Sequence, residues 1–322
     1  MPPLTASAAP RADAVAELML PADYDLAGTL GVLARGKQDP TIRFTHDGVW
    51  LAYAAAEGLV SLRLTARRGP QGTTVEARLW GPGADSALAG LPRLLGADDD
   101  WSAFDDPGFQ ATLPTLVSRP RRLHPGLRLP ATGRMVDALV PAVLEQKITT
   151  IEARYSWRYL VSRHGSPAPG PAPDGLKAAP SAGQWRRIPS WEWHRAGVDS
   201  KRSGTILRVC GAASGLERLA AAEPGDGLAA KLCSVPGIGP WTAAETAQRT
   251  HGDPDSVSVG DFHLAAFVGY ALTGRKTDDA GMLELLEPWR GHRQRVVRML
   301  VLSGFRKPAF GPRLAPQDHR FH

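Results

Sequence analysis

A chain of 322 residues with 43% hydrophobic content is long enough to bury a sizeable core and to divide into two or three domains. Its net charge is +6, and its two cysteines, Cys210 and Cys233, cannot make a disulfide framework, a zinc site or an iron–sulfur cluster. No apolar run nears the roughly 20 residues of a membrane span, and Met1–Arg11 lacks the charged start and apolar core of a signal peptide, so a cytoplasmic location is expected.

In chain order, residues 1–16 are rich in Ala and Pro and read as a disordered tail. A helix is expected near Asp25–Arg35. Strand-like runs follow at Thr41–Phe44, Val49–Ala54, Leu59–Ala66 and Thr73–Trp80, with Gly69-Pro70-Gln71-Gly72 as the turn between the last two. Ala87–Leu95 reads as another helix, and 17–99 together describe a small α+β domain. Beyond about Asp100 the apolar period changes from two to about 3.6, and Val136, Leu139, Val140, Val143, Leu144, Ile148, Ile151 and Tyr155 make one helical stripe. The Pro/Gly-rich stretch 166–182 cannot hold a helix and reads as an exposed loop or linker. The rest reads as mostly helical, without internal repeats.

The stretch Leu232-Cys233-Ser234-Val235-Pro236-Gly237-Ile238-Gly239-Pro240-Trp241-Thr242 carries the most chemistry. Gly237 and Gly239 can take up positive φ, Pro236 stiffens the entry, and Pro240 suits the first turn of a helix because it has no amide hydrogen to leave unpaired. Free amides at that helix start point at an anion, and a phosphate is the natural ligand. Taken alone the same residues also suit an ordinary helix-to-helix turn. Val259-Gly260-Asp261-Phe262-His263 follows, with Asp261 22 positions beyond Gly239. An aspartate after such a turn equally suits a helix N-cap. From Pro288 onward Arg290, Arg293, Arg295, Arg298, Arg306, Lys307, Arg313 and Arg320 face one acid, Asp318. That end is either a phosphate-tracking surface or a solvated helix face with a tail.

The hairpin, Trp241 directly after it and Asp261 beyond resemble the helix-hairpin-helix (HhH-GPD) DNA glycosylases, which carry a Gly/Pro-rich loop and a catalytic aspartate. Within that superfamily the chain is similar to the AlkA-type 3-methyladenine DNA glycosylases. Further segments in family order carry the likeness over nearly the whole chain: Pro21-Ala22-Asp23-Tyr24-Asp25, Leu30-Gly31-Val32-Leu33-Ala34, Pro125-Gly126-Leu127-Arg128-Leu129-Pro130, Leu144-Glu145-Gln146-Lys147-Ile148-Thr149 and Pro288-Trp289-Arg290. The resemblance implies an α+β fold, with a small antiparallel-sheet N-terminal domain followed by a mainly α-helical two-lobed core. One lobe would be 136–252, carrying the hairpin. The other would combine 100–135 with 253–322 and carry the catalytic Asp, and the substrate cleft would lie between them.

It further implies a monofunctional glycosylase that flips out alkylated purines, such as 3-methyladenine or 7-methylguanine, and hydrolyses the N-glycosidic bond. Asp261 would supply negative charge to the oxocarbenium-like sugar. Trp241 stands where lyase-type members have the nucleophilic lysine, so Schiff-base chemistry lacks its amine. Trp241, Trp289 and Phe262 would wall the base pocket, attracting a cationic base by about 1–2 kcal/mol per ring face, although core packing is open to either tryptophan. Two positions depart from the best-known relative: Glu245 replaces a pocket tyrosine and Val32 a pocket phenylalanine. Glu245 either adds a carboxylate to the pocket or faces solvent.

Lys147 stands in place of the apolar wedge that fills the gap left by the flipped base, with Gln146 beside it able to bond a base edge; a surface lysine at a helix end is the plainer reading. Pro236, Gly237, Ile238, Gly239 and Thr242 would grip the DNA. Carbonyls of Cys233, Val235 and Ile238 would hold a monovalent cation, Na or K, and no other cofactor is required. The implied partner is double-stranded DNA with damaged bases, bound by a monomer associated with the nucleoid. Alternatives are a glycosylase for a bulkier or different lesion, a lyase-type member, and a non-catalytic protein that binds damaged DNA.

Overall fold

The computed structural model describes residues 10–221 and 227–308. The N-terminal part is a five-stranded antiparallel sheet of β1 (Ala14–Leu20), β2 (Ile42–Thr45), β3 (Gly48–Ala55), β4 (Gly58–Gly69) and β5 (Gly72–Trp80), in spatial order β1-β5-β4-β3-β2. Alternation sends Leu62, Leu64, Val75, Ala77 and Leu79 to one face, where they bury completely against Leu26, Leu30, Leu91 and Leu94 of short helices. The two helices expected here are each broken. Leu26–Leu30 tightens into a 3-10 turn at Gly31–Leu33, and Ala84–Ala89 is separated from Leu91–Leu94 by Gly90.

The expected N-terminal tail ends sooner than 16. Strand β1 starts at Ala14 and pairs with β5 from Ala14 opposite Leu79 to Leu20 opposite Thr73. It is an edge strand whose outward Val15 and Met19 are 58% and 54% exposed, so apolar residues on both faces hide the alternation that marks β4 and β5. Residues 1–9 of the expected tail lie outside the described residues.

The Pro-rich stretch 166–182 is also not an exposed linker. Ser166–Pro167 pairs with Lys177–Ala178, and Leu176 and Ala178 bury against Trp50 and Trp80 on the outer face of the sheet. Those two indoles stack at 5.4 Å, and Ser61 Oγ donates to the Pro169 carbonyl at 2.6 Å. Prolines that prevent a helix still supply apolar surface and carbonyl acceptors.

The remaining described chain is mostly helical, with two apolar cores. One gathers Met135, Leu139, Val143, Leu160, Trp185, Ile206, Leu232 and Ile238; the other gathers Trp101, Phe104, Leu127, Val257, Val268, Leu286, Trp289 and Leu300. The sheet domain docks onto them through Tyr24 and Gly126, which form a parallel bridge. A Cβ on Gly126 would lie 1.6 Å from the Asp23 carbonyl oxygen, so only glycine permits this approach.

The single helical stripe expected from Val136 to Tyr155 is two helices, Met135–Leu144 and Thr150–His164. Between them Lys147 has φ 56°, the one positive φ outside glycine among the described residues. The second helix starts with a capping box, Thr149 and Glu152 bonding each other's backbone amides. Ile151, counted in the stripe, is 68% exposed.

Candidate active site

The hairpin joins helix Leu228–Cys233 to helix Pro240–Thr250. Gly237 has φ 97°, and a Cβ there would stand 2.3 Å from Thr205 Oγ1. Gly239, by contrast, caps the second helix at φ −103°, so only one of the two glycines uses the left-handed region. Ile238, 5% exposed, anchors the turn in the core, while Pro236 and Gly237 face outward. Thr242, expected at the DNA face, is 2% exposed, and its hydroxyl accepts from Gln146.

Gln146 is turned inward. Its amide nitrogen donates to the Gly237 carbonyl at 3.0 Å and to Thr242 Oγ1 at 2.9 Å, so its oxygen is what remains for a base edge. Next to it Lys147 is exposed at the tip of the turn. Arg208, which sequence reasoning missed, donates from Nε to the Pro236 carbonyl at 2.9 Å and is itself exposed. It brings a guanidinium to the hairpin that the motif alone does not contain.

Asp261 follows the loop from Ser256 to Gly260. Its Oδ1 accepts from the backbone amides of His263 and Leu264 at 2.8 and 2.9 Å, as an N-cap would. Its Oδ2 accepts from Trp241 Nε1 at 3.1 Å. The capping and functional readings of this residue are therefore compatible, because each oxygen has a separate task. Phe262 is 81% exposed beside it, with its ring edge-on to His263. Trp289 is 7% exposed within the C-terminal core, Nε1 donating to Thr112 Oγ1 at 3.1 Å; packing is the role its contacts describe.

Glu245 does not face solvent. It pairs with Arg249 at 2.8 Å, with the two side chains 15% and 16% exposed, and it accepts from Ser258 Oγ at 2.6 Å. Burial pushes its carboxyl up, but Arg249, Ser258 and Arg35 outweigh that and hold it below the usual glutamate range. Arg249 Nε also donates to the Val32 carbonyl at 3.2 Å, so the two departures from the family pattern meet at one arginine. Arg35 pairs with Glu145 at 2.9 Å nearby. Of these, only the Glu245–Arg249 spacing of four could have been read from the sequence as a helical ion pair.

The basic C-terminal stretch does not form one phosphate-tracking face. Arg290 pairs with Glu287, Arg293 with Asp255 and Arg295 with Asp99, while Arg298 donates to the Gly28 carbonyl at 3.2 Å. These arginines tie the last helix, Arg293–Leu302, to earlier parts of the chain. Arg313, Asp318 and Arg320 lie outside the described residues.

A small sheet domain followed by helices around two apolar cores, with a Pro-Gly-Ile-Gly hairpin between two of them, matches the fold of the helix-hairpin-helix (HhH-GPD) DNA glycosylases. The structure superimposes on the 3-methyladenine DNA glycosylase of Archaeoglobus fulgidus with a TM-score of 0.71 at 15% identity, over 90% of this chain and 99% of that one. The apo 8-oxoguanine glycosylase/lyase of Clostridium acetobutylicum gives 0.64 at 10% identity, over 90% and 99%. The sequence likeness is to an AlkA protein. The chain is 31% identical over 183 residues, 56% of its length, to the probable bifunctional transcriptional activator/DNA repair enzyme AlkA of Mycobacterium tuberculosis. The match spans 35% of that relative's length. No protein-family model matches the sequence. Among the described residues no helix is long and apolar enough to cross a membrane.

Proposed function

We propose that this protein is a monofunctional DNA glycosylase that removes alkylated purines, of the 3-methyladenine and 7-methylguanine kind, from double-stranded DNA. The observation that carries the proposal is the 3.1 Å bond from Trp241 Nε1 to Asp261 Oδ2. It sets an ionisable carboxylate beside an aromatic ring at the mouth of the phosphate-gripping hairpin.

In this reading the Gly237 region and Arg208 hold a backbone phosphate. The stem of Lys147 fills the gap in the stack, and the flipped base meets Trp241 and the exposed ring of Phe262. The C1′–N bond breaks with its electron pair leaving on the base, easily so when alkylation has made that base cationic. Asp261 stabilises the oxocarbenium-like sugar. A water oxygen then bonds C1′ and gives up its proton to bulk solvent. Trp241 offers no amine, so no Schiff base forms and the product is an abasic site.

A monovalent cation at the hairpin is the adjunct that the family resemblance suggests. The carbonyls proposed to hold it are those of Cys233, at the end of the preceding helix, and of Val235 and Ile238 in the turn; the Val235 oxygen, which accepts from the Ile238 amide at 3.0 Å, keeps a second lone pair. When bound, such an ion would add positive charge toward a phosphate; catalysis in this account does not depend on it.

Release of free bases from methylated duplex DNA, separated chromatographically, tests the proposal together with borohydride trapping. Release of 3-methyladenine or 7-methylguanine without a trapped adduct supports it. A trapped covalent adduct, or release confined to another lesion, would replace it with the corresponding reading.

A further inference from the structure

The Asp261 carboxylate is bonded by Trp241 and by the amides at the start of helix Leu264–Thr273, but the turn that carries it lies outside any helix or strand and is set by side chains. Three bonds converge on the residue that begins its turn. The Asp261 amide donates to the Ser258 carbonyl at 3.2 Å. Ser258, 4% exposed, donates from Oγ to Glu245 Oε1 at 2.6 Å. Gln248 Nε2 donates to Ser258 Oγ at 3.1 Å and to the Ser256 carbonyl at 2.9 Å. Glu245 in turn is fixed by Arg249 Nη1 at 2.8 Å on Oε2, and Arg249 Nε reaches the Val32 carbonyl. One buried line thus runs from the N-terminal domain through Arg249, Glu245 and Ser258 to the turn that carries Asp261.

We propose that Glu245 and Ser258 are positioning residues for the base-release reaction: Glu245, locked by Arg249, holds Ser258, and Ser258 sets the turn that aims the Asp261 carboxylate. This rests on the glycosylase reading above. It gives Glu245 a task other than recognising the base. Each of its oxygens already has a partner, and its charge is balanced by Arg249, which leaves no free carboxylate to attract a cationic purine. A misplacement of about 1 Å in a reacting group can cost about a hundredfold in rate, so a clamp one residue removed from the chemistry has a measurable effect.

The test is single-turnover release of 3-methyladenine and 7-methylguanine from one methylated duplex by the full chain, with duplex affinity measured alongside. Ser258→Ala and Glu245→Ala are expected to slow release about tenfold, by the same factor for both bases, with affinity changed less than about twofold. The double variant should be no slower than the worse single one by more than about twofold, because both act through one contact. Glu245→Gln retains an oxygen for the Ser258 hydroxyl but loses the Arg249 bond, and should release base faster than Glu245→Ala and more slowly than the parent. If Glu245→Ala does not fold, Ser258→Ala, which removes only a hydroxyl, decides the matter. An altered ratio between the two bases in Glu245→Gln would overturn the inference by placing the side chain against the base. An unchanged rate in Ser258→Ala would overturn it while leaving the glycosylase reading intact. A parent protein that releases no base overturns both.

Discussion

The side chain of Gln146 spans the space between the turn after Leu144 and the hairpin, donating to the Gly237 carbonyl at 3.0 Å. The residue beside Lys147 is therefore bonded directly to the hairpin, so the two features that the proposed function sets against one DNA strand are held in fixed register. Gln146→Ala removes this link along with the bond to Thr242. It should lower folding stability by about 1 kcal/mol and weaken binding to damaged and undamaged duplex alike. Chemical denaturation and fluorescence anisotropy check the two effects; a selective loss for damaged DNA would instead favour a base-edge contact.

Lys147 is held in a backbone region that costs a non-glycine residue roughly 1–2 kcal/mol. Strain of this kind clusters at functional sites, in keeping with the wedge role proposed for Lys147. Lys147→Gly should leave stability within about 1 kcal/mol, because relieved strain offsets glycine's extra chain entropy. The same variant should bind duplex more weakly, with a salt slope shallower by about one ion. Unchanged affinity and slope would make Lys147 an ordinary surface lysine.

The two hairpin glycines are expected to respond differently. Gly237→Ala meets both a positive φ and Thr205 Oγ1 at 2.3 Å, and should cost about 1–3 kcal/mol with a loss of DNA affinity. Gly239→Ala meets nothing within 4 Å at φ −103° and should change stability by less than about 1 kcal/mol. Thermal unfolding of the pair measures the contrast, and equal losses would contradict the hairpin geometry described here.

Acid sensitivity has an identifiable source in Asp255. Burial lifts its carboxyl, but hydrogen bonds from the Arg293 side chain and backbone, with the Arg293 charge, outweigh this and hold it below the usual aspartate range. Because the folded value is depressed, the stabilisation is present above the unfolded value of about 3.9 and is lost as pH falls through the folded one. Asp255→Asn should therefore be less stable than the parent by about 1–3 kcal/mol at pH 7, and that gap should narrow below about pH 4. A gap independent of pH would show that the contact acts through shape alone.

Much of this was legible in the sequence because it is written in local patterns. Strands β2, β4 and β5 alternate, β3 is a continuous apolar run, and the hairpin and Asp261 stand in local sequence patterns. What was not legible depends on distant partners. The arginines of the last helix read as a basic surface, yet Asp99 and Asp255 draw them inward. The break at Lys147 interrupts an apolar period that continues across it, and the Thr149-x-x-Glu152 box was the one local sign of a new helix. Ser258 and Gln248 carry no motif at all; only the folded loop shows what they hold.

The most direct test of the central claim compares Asp261→Asn with the parent in single-turnover base release from methylated duplex, with DNA affinity measured in parallel. The substitution keeps the size and one acceptor oxygen, for either Trp241 Nε1 or the amides of His263 and Leu264, while removing the negative charge. The account predicts that the parent releases 3-methyladenine or 7-methylguanine, and that the variant binds DNA normally while releasing base at least about a hundredfold more slowly. A variant as active as the parent would contradict it.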